Sequence, residues 1–204
     1  MRVLLAGATG LVGGLVLKAT EAMEIIPVSR RPIPGHLGVV ADFDDLPPLP
    51  EAQVAVCALG TTRAKAGSDA AFRAVDHDAV LAFARAAKAA GVTHFILVSS
   101  VGANPRSSLL YPRTKGEVEV ALTAMGFSSL DILQPGLLIG PRAERRPVER
   151  FLQWAAPVMD PFLPRDVGSL PAEAVAGAIV TLTMRSEPGV FRHTNRVIAS
   201  LTLT

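Results

Sequence analysis

The first fourteen residues constrain the fold of this chain more than any other stretch. Residues 2–6 form an apolar run of strand length, and Gly7, Gly10 and Gly13 follow directly in a G-x-x-G-x-x-G pattern. The segment Leu11–Met23 then has the Ala- and Leu-rich composition of a helix. A buried strand, a glycine turn and a helix in immediate succession predict a unit that binds a dinucleotide.

Each glycine of this turn has its own expected task. Gly7 permits a sharp turn after the strand, Gly10 lets a pyrophosphate approach the backbone, and Gly13 lets the helix pack closely on the strand. Unpaired N–H groups and the positive end of the helix dipole would then face the phosphates. The alternative is a glycine-rich strand-to-helix turn without a ligand.

The composition argues against several other classes of protein. A chain of 204 residues, half of them hydrophobic, suits one domain with a sizeable core. The net charge is +2 and the basic residues are scattered, so we expect no nucleic-acid partner. No apolar run reaches about 18 residues without a break, so we expect no membrane span. The histidines lack ligand spacing, and we infer no metal site from His36, His77, His94 and His193.

The chain contains a single cysteine, Cys57, which lies in the apolar run 54–58. A buried structural thiol is therefore expected there rather than a nucleophile. A lone cysteine is typical of a reducing compartment, and we expect the cytoplasm.

Strand-like and helix-like segments alternate along the chain, which predicts an α/β fold with a doubly wound parallel sheet and helices on both faces. The expected strands are residues 2–6, 24–29, 38–41, 53–58, 94–99, 130–133 and 197–201. The main expected helices are residues 11–23, 76–90, 112–125 and 171–183, with a polar loop at 61–68. We expect a single domain with a core of about residues 1–140 and a small, irregular substrate-side portion of about residues 141–204.

Two positions at strand ends concern the adenosine half of a dinucleotide. Arg30 and Arg31 end the second strand, where a carboxylate would accept a hydrogen bond from the ribose 2′-hydroxyl of NAD. Guanidinium groups bind a 2′-phosphate instead, so we expect NADP(H) to be preferred over NAD(H). The alternative is an exposed arginine pair in a loop. Asp42 ends the third strand, where it either lies near the adenine, with Phe43 beside it, or starts a local turn.

A second motif surrounds Tyr111 and Lys115. These residues are four apart at the expected start of a helix, so they share one helix face. An ammonium group near a phenol favours the phenolate and lowers its pKa from about 10. Such a tyrosine can give a proton to a carbonyl that receives hydride, or take one from an alcohol that loses it.

Ser99 and Ser100 stand at the carboxyl end of a buried strand, where open α/β sheets place their ligands. One hydroxyl could donate a hydrogen bond to the substrate oxygen beside Tyr111. We narrowly prefer Ser99 for this task. The alternative is that both serines merely end the strand.

The glycine turn, the serine pair and Y-x-x-x-K together resemble the short-chain dehydrogenase/reductase superfamily. Further segments resemble one atypical branch, the Tat-interacting-protein-like oxidoreductases and the small NAD(P)-binding proteins labelled epimerase/dehydratase-like. These segments are residues 57–63, 65–68, 75–78, 98–103, 110–117 and 135–138. The resemblance runs from Met1 to about Arg150.

The resemblance implies a Rossmann fold with NADP(H) in its crevice, and it implies a task for several groups of residues. The diphosphate would be lined by Thr9, Gly10, Leu11 and Val12, and the 2′-phosphate would be held by Arg30 and Arg31. The adenosine side would be flanked by Leu59, Gly60 and Thr61, and the nicotinamide ribose would be reached by Tyr111 and Lys115. The nicotinamide would lie against Pro135, Gly136, Leu137 and Leu138, with Arg142 or Arg146 near the cofactor or an anionic substrate.

Two hypotheses about function follow, and a third is weaker. The first is an NADP(H)-dependent oxidoreductase of a small carbonyl or alcohol substrate that uses Tyr111, Lys115 and a serine. The second is an NADPH-binding regulatory or redox-sensing protein with little turnover; a homodimer or a regulatory protein partner is left open. A sugar epimerase or dehydratase is disfavoured because the region after Gly140 is short. Asp76 stands where many superfamily members carry asparagine, which puts a full proton relay in doubt.

Overall fold

The chain folds around a parallel β-sheet. The computed structural model describes residues 1–18, 23–140, 168–185 and 187–201. The strands of the main sheet are β1 (Arg2–Ala6), β2 (Glu24–Ser29), β3 (Val39–Val40), β4 (Val54–Cys57), β5 (His94–Val98), β6 (Ser129–Gln134) and β9 (Gly189–Thr194). They lie in the order β3-β2-β1-β4-β5-β6-β9, and every neighbouring pair is parallel. Two short strands, β7 (Leu138–Ile139) and β8 (Leu170–Pro171), pair with each other outside this sheet.

Helices connect the strands and cover both faces of the sheet. They are α1 (Leu11–Val16), α2 (Arg63–Ala66), α3 (Asp69–Arg73), α4 (Ala79–Ala89), α5 (Leu110–Met125), α6 (Ala172–Thr183) and α7 (Asn195–Leu201). Helices α3 and α4 are joined by a π-helical turn, Ala74–Asp78. None of the described helices is long and apolar enough to cross a bilayer.

Two hydrophobic clusters fill the two faces of the sheet. Val3 and Leu5 of β1 belong to the cluster that contains residues of α1, α6 and α7. Leu4 and Ala6 of the same strand belong to the cluster that contains residues of α4 and α5. Since both faces are covered, the strands are continuous apolar runs rather than alternating ones. The predicted doubly wound parallel sheet is therefore confirmed.

The strand order reverses between β1 and β4, because β1 leads to β2 and β3 on one side while β4 leads to β5 and β6 on the other. In a sheet of this kind the helices on the two sides diverge at the reversal and leave a crevice at the carboxyl ends of the strands. The loops that follow β1, β2, β4, β5 and β6 all leave from this edge, which is where the sequence places its candidate site residues.

Two helix boundaries on this side differ from the expectation. Residues 61–68, expected as a loop, contain α2, whose first turn is capped by the Thr62 hydroxyl at 3.2 Å from the amide of Lys65. The helix expected at 76–90 begins at Asp69, with the hydroxyl of Ser68 accepting from the amide of Ala71 at 3.1 Å. Asp76 therefore lies inside a helical stretch instead of at its start.

The expected strand at 197–201 is wrong, since these residues belong to α7 and the last strand is β9. Val197 and Ile198 suit a strand by propensity, but Ile198 is fully buried in the core cluster while Val197 faces outward, and this packing overrides propensity. Residues 170–201, which the sequence places in an irregular portion, supply one strand to the main sheet and two helices to one of its faces.

Candidate functional site

The glycine turn after β1 is built by close backbone contacts. Gly7 has a positive φ of 88°, and a Cβ there would lie 2.4 Å from the carbonyl oxygen of Ala58, beyond the end of β4. A Cβ on Gly13 would lie 2.2 Å from the carbonyl oxygen of Gly7. Both positions therefore require glycine to bring β1, β4 and α1 together, as the sequence predicts. Thr9 and Gly10 are exposed at the tip, whereas Val12 is buried beneath it.

A buried ion pair joins the π-helical turn to α5. The Nζ of Lys115 lies 2.8 Å from Oδ1 of Asp76, and both side chains are almost completely buried. The other oxygen, Oδ2 of Asp76, accepts a hydrogen bond from the amide of Thr61 at 2.7 Å. Gly60 borders this pair, since a Cβ there would lie 3.5 Å from Oδ1 of Asp76. The carboxylate thus connects the loop after β4 to the helix that carries Lys115.

Tyr111 lies one turn before Lys115 on α5, and its phenol ring faces the ammonium group. The Nζ of Lys115 is 6.0 Å from the centre of the Tyr111 ring, so the spacing of four residues does place both on one face. The Tyr111 ring also packs against the buried Phe72 of α3, with ring centres 5.9 Å apart. The tyrosine remains 44% exposed, so solvent and small molecules can reach it.

Three groups determine the charge of the buried lysine. Burial alone lowers the pKa of Lys115, but the negative charge and the hydrogen bond of Asp76 raise it, with smaller contributions from Tyr111 and Cys57. The net effect is a pKa above the ordinary lysine value, so the lysine is charged at neutral pH. Burial raises the pKa of the Cys57 thiol to about 12, which makes it the structural thiol that the sequence predicts.

The two serines after β5 have different surroundings. The Ser99 hydroxyl donates to Oε1 of Glu119 at 2.6 Å, inside the protein. Gln134 donates to the same carboxylate at 2.9 and 3.0 Å, and Nε of Arg192 lies 3.5 Å from it. The Ser100 hydroxyl is buried and has no hydrogen-bond partner in the described part of the chain. This geometry favours Ser100 over Ser99 as the hydroxyl available to a ligand, against the preference from the sequence.

The residues expected on the adenosine side are at the surface. Arg30 and Arg31 are exposed, and no carboxylate among the described residues pairs with either guanidinium. The Ser29 hydroxyl donates to the carbonyl of Arg31 at 2.7 Å and fixes the bend between them. Asp42 is exposed, and its carbonyl accepts from the amide of Asp45 in a local turn, while Phe43 packs on Phe83. Leu59 is half-buried beside this cluster.

The loop after β6 is held by a residue that the sequence analysis missed. The Asn195 side chain accepts from the amide of Gly136 at 2.8 Å and donates to the carbonyl of Gly168 at 2.6 Å. It thereby ties the segment Pro135–Leu138 to the start of α7. No sequence signal marks Asn195. The sequence analysis also missed Glu119, although its spacing of four residues from Lys115 places it on the same face of α5 as Tyr111 and Lys115. Arg142 and Arg146 lie outside the described residues.

Another buried carboxylate, Asp131, lies away from this edge, inside the sheet. The Nε2 atoms of His94 and His193 are both 2.6 Å from Asp131, one on each carboxylate oxygen. These contacts lower the pKa of Asp131 despite its burial. An adjoining cavity of about 50 Å³, lined in part by Asp131 and His193, is far too small for a dinucleotide. Two of the four histidines are therefore brought together, although their spacing in the sequence shows no relation.

Comparison with known proteins identifies the family. No protein-family model matches the chain. It is 37% identical over 169 residues to the mitochondrial protein FMP52 of Coccidioides immitis, covering 71% of this chain and 69% of that protein. It is 35% identical over 205 residues to FMP52 of Debaryomyces hansenii, covering 92% and 89%. The chain belongs to the FMP52 family. It is also 46% identical over 114 residues to rat HTATIP2, covering 54% of this chain and 47% of that protein, which confirms the atypical short-chain dehydrogenase/reductase assignment.

Solved structures agree on the fold of this FMP52-family protein. MoeE5 in complex with UDP-glucose and NAD superposes with a TM-score of 0.74 at 18% identity, covering 99% of this chain and 81% of that one. The human epimerase family protein SDR39U1 with NADPH superposes with a TM-score of 0.69 at 18% identity, covering 95% and 74%. At these identities the likeness shows the Rossmann-type fold alone.

The expected cytoplasmic location is wrong, because the FMP52 relatives are named as mitochondrial proteins. The expectation rested on the single cysteine, Cys57. A lone buried thiol indicates only a reducing environment and does not distinguish one reducing compartment from another.

Proposed function

We propose that this protein is an NADP(H)-dependent oxidoreductase that interconverts a small carbonyl compound and its alcohol. The observation that carries the proposal is the face of α5 on which the charged Lys115 lies 6.0 Å from the ring of the accessible Tyr111. A cation in that place would stabilise the negative charge that develops on the tyrosine oxygen while its proton is being transferred. The Rossmann-type fold, which the chain shares with the structure of SDR39U1 with NADPH, supports the cofactor part of the proposal.

The residues present fit a bound nicotinamide dinucleotide. The glycine turn exposes Thr9 and Gly10 at the crevice. The Gly10 amide donates to the carbonyl of Gly7 at 2.9 Å, so a diphosphate would be bound by the amides that follow it in the first turn of α1. Arg30 and Arg31 are exposed and carry no carboxylate partner in the described part of the chain, so both are free to bind a 2′-phosphate. The orphaned Ser100 hydroxyl gives the site a buried donor that a ligand can satisfy.

Each of the chain's own groups then has a task. The nicotinamide, when bound, supplies or accepts the hydride. Tyr111 gives a proton to the substrate oxygen in the reductive direction and takes it back in the oxidative one. Lys115 binds the ribose and stabilises the phenolate, and the Ser100 hydroxyl donates to the substrate oxygen. Asn195 holds the segment Pro135–Leu138, which would lie beside the nicotinamide half.

A second candidate is an NADPH-binding regulatory protein with little turnover. The observation that favours it is the Asp76 carboxylate, 2.8 Å from Nζ of Lys115, because this negative charge offsets the effect of the ammonium on Tyr111. Cofactor binding needs Lys115 as a donor, whereas proton transfer also needs an acidified phenol.

Tyr111→Phe distinguishes the two candidates. The variant keeps the ring that packs on Phe72 but removes the proton, so we expect turnover with NADPH to fall by roughly 10²–10⁴-fold while NADPH affinity is unchanged. Turnover is measured with small aldehydes, ketones and quinones, and affinity by titration. Leu109→Ala, at an exposed position just before α5, is the matched control and should leave both unchanged. Turnover preserved in Tyr111→Phe would refute the proposed role of Tyr111.

A further inference from the structure

Asp76 connects two segments that border the crevice. Its Oδ2 accepts from the amide of Thr61, which follows β4, and its Oδ1 contacts Nζ of Lys115, which belongs to α5. These segments flank β4 and β5 at the carboxyl edge of the sheet. One carboxylate therefore sets the distance between the loop after β4 and the helix of Tyr111 and Lys115.

The π-helical turn presents Asp76 to these partners. Residues 74–78 form a wider turn between α3 and α4, and such turns rotate the residues that follow relative to those before. Three contacts clamp this region to α5: Phe72 packs on Tyr111, Arg73 pairs with Glu117 at 2.7 Å, and Asp76 pairs with Lys115. The position of the carboxylate is thus determined by packing as well as by charge.

The buried ammonium of Lys115 also requires a counter-charge. An ammonium group taken out of water without a counter-charge costs several kcal/mol or loses its proton. The charged and titratable groups that face Lys115 are Asp76 from the π-helical turn, Tyr111 from α5 and Cys57 from β4. Of these three, the Asp76 carboxylate is in direct contact with the ammonium, with Oδ1 2.8 Å from Nζ, whereas burial raises the pKa of the Cys57 thiol to about 12.

We propose that Asp76 is a positioning residue for Lys115: its carboxylate supplies the counter-charge of the buried ammonium and holds it, together with the Thr61 amide, at the cofactor crevice. The assignment of Lys115 to the cofactor rests on the proposed function, whereas the pairing of the Asp76 carboxylate with the Lys115 ammonium does not. Asp76 acts on the ligand through Lys115 and the loop after β4. A carboxylate keeps the lysine charged here, which a neutral amide at this position does not do.

The first test measures Lys115 itself in protein without cofactor. Lysines labelled with ¹³C at Cε are titrated by NMR, and the signal of Lys115 is assigned with Lys115→Met. We expect a lower pKa for Lys115 in Asp76→Asn than in the wild type, since burial then acts without the counter-charge. The matched control is Asp78→Asn on the same turn. The Asp78 carboxylate is exposed and pairs with His77, so its loss should leave the pKa of Lys115 unchanged. An unchanged or higher Lys115 pKa in Asp76→Asn overturns the proposal.

Two further measurements test the proposal even if Asp76→Asn fails to fold. In the wild type Lys115 must titrate above the ordinary value of 10.5, and a lower value overturns the proposal. In Asp76→Glu the charge is kept but displaced, so Lys115 should stay charged while hydrogen exchange at the Thr61 amide becomes faster. Unchanged exchange at Thr61 contradicts the bridging role of the carboxylate.

Cofactor titration separates this proposal from the proposed function. We expect Asp76→Asn to bind NADPH about tenfold more weakly than the wild type, and more weakly still as the pH rises and Lys115 loses its proton. A wild type that binds neither NADPH nor NADH refutes the proposed function but leaves the Lys115 titration valid. NADPH affinity that is equal in Asp76→Asn and the wild type across the pH range overturns the positioning role.

Discussion

Two buried carboxylates, Asp76 and Asp131, serve different purposes in the same sheet. Asp131 binds two imidazoles that reach it from the neighbouring strands β5 and β9, one on each oxygen. Asp76 binds a backbone amide and an ammonium from two segments that are not hydrogen-bonded neighbours in the sheet. Asp131, on β6, contacts side chains of the two strands that are already hydrogen-bonded to β6, so its role is structural. Asp76 joins groups that border a crevice, next to an accessible tyrosine.

The partners of the two carboxylates differ in their access to solvent. The partners of Asp131 are themselves mostly buried, and the adjoining cavity holds little more than water. The partner of Asp76, Lys115, faces Tyr111, whose ring is 44% exposed. The Asp76 pair is therefore connected to an exposed side chain, so a ligand at the crevice would be affected by this charge.

Apart from the Asp76 pair, the largest effect on stability is expected at Asp131. Asp131→Asn leaves one imidazole without its acceptor, and we expect the free energy of unfolding at neutral pH to fall by about 1–3 kcal/mol. The pKa of Asp131 is lowered by folding, so the stabilisation is present above the ordinary value of 3.8 and is lost as pH falls through the folded value. Urea unfolding of variant and wild type should therefore converge in acid.

The matched control for Asp131 is Asp44→Asn, at an exposed loop position, which should leave stability unchanged at either pH. A loss of stability in Asp131→Asn that is equally large in acid would contradict the ionic account of this cluster. The contribution of Asp131 to stability would then come from packing and not from its charge.

A smaller effect separates the two serines. Ser99→Ala removes a donor from the buried Glu119 carboxylate, so we expect a loss of stability of about 1 kcal/mol, with Gln134 still bound. Ser100→Ala removes a hydroxyl that has no partner in the described structure, so we expect stability within about 0.5 kcal/mol of the wild type. Turnover should show the reverse order, with the larger loss in Ser100→Ala. Thermal unfolding and steady-state kinetics on the pair provide the measurement, and the opposite order in turnover would return the role to Ser99.

The smallest effect on stability is expected at the arginines after β2. Arg30→Ala and Arg31→Ala change exposed side chains without ion-pair partners among the described residues, so stability should change by less than about 0.5 kcal/mol. NADPH affinity should fall by about tenfold, because a guanidinium–phosphate contact is lost, while NADH affinity stays the same. Titration of the wild type with both cofactors is the control. NADH binding at least as tight as NADPH binding in the wild type would refute the NADP preference.

Much of the fold follows from local features of the chain. The glycine turn, the apolar strands and the glycines that end helices depend on a few consecutive residues, and Gly91 and Gly126 both adopt positive φ as helix ends do. The failures have a common cause. The strand expected at 197–201 is a helix because burial of Ile198 against the core decides its conformation. The helix expected at 76–90 is longer because α3, which starts at Asp69, continues into α4 through a π-helical turn that no periodicity reveals.

In the candidate site, too, some features follow from local sequence and others from tertiary packing. The shared face of Tyr111 and Lys115 follows from helical spacing, and the close approach at Gly7 and Gly13 follows from the turn, so the sequence by itself determined both. The choice between Ser99 and Ser100 stays a prediction, and the sequence could not show that Ser99 donates to Glu119, because the partner of each hydroxyl depends on where α5 packs on the sheet. Only the tertiary structure decided that Asp76 meets Lys115 and that Asp131 meets two histidines. A hydrogen bond or ion pair between distant segments requires a distance of about 3 Å, and that distance is set by the packing of whole elements, which no local pattern encodes.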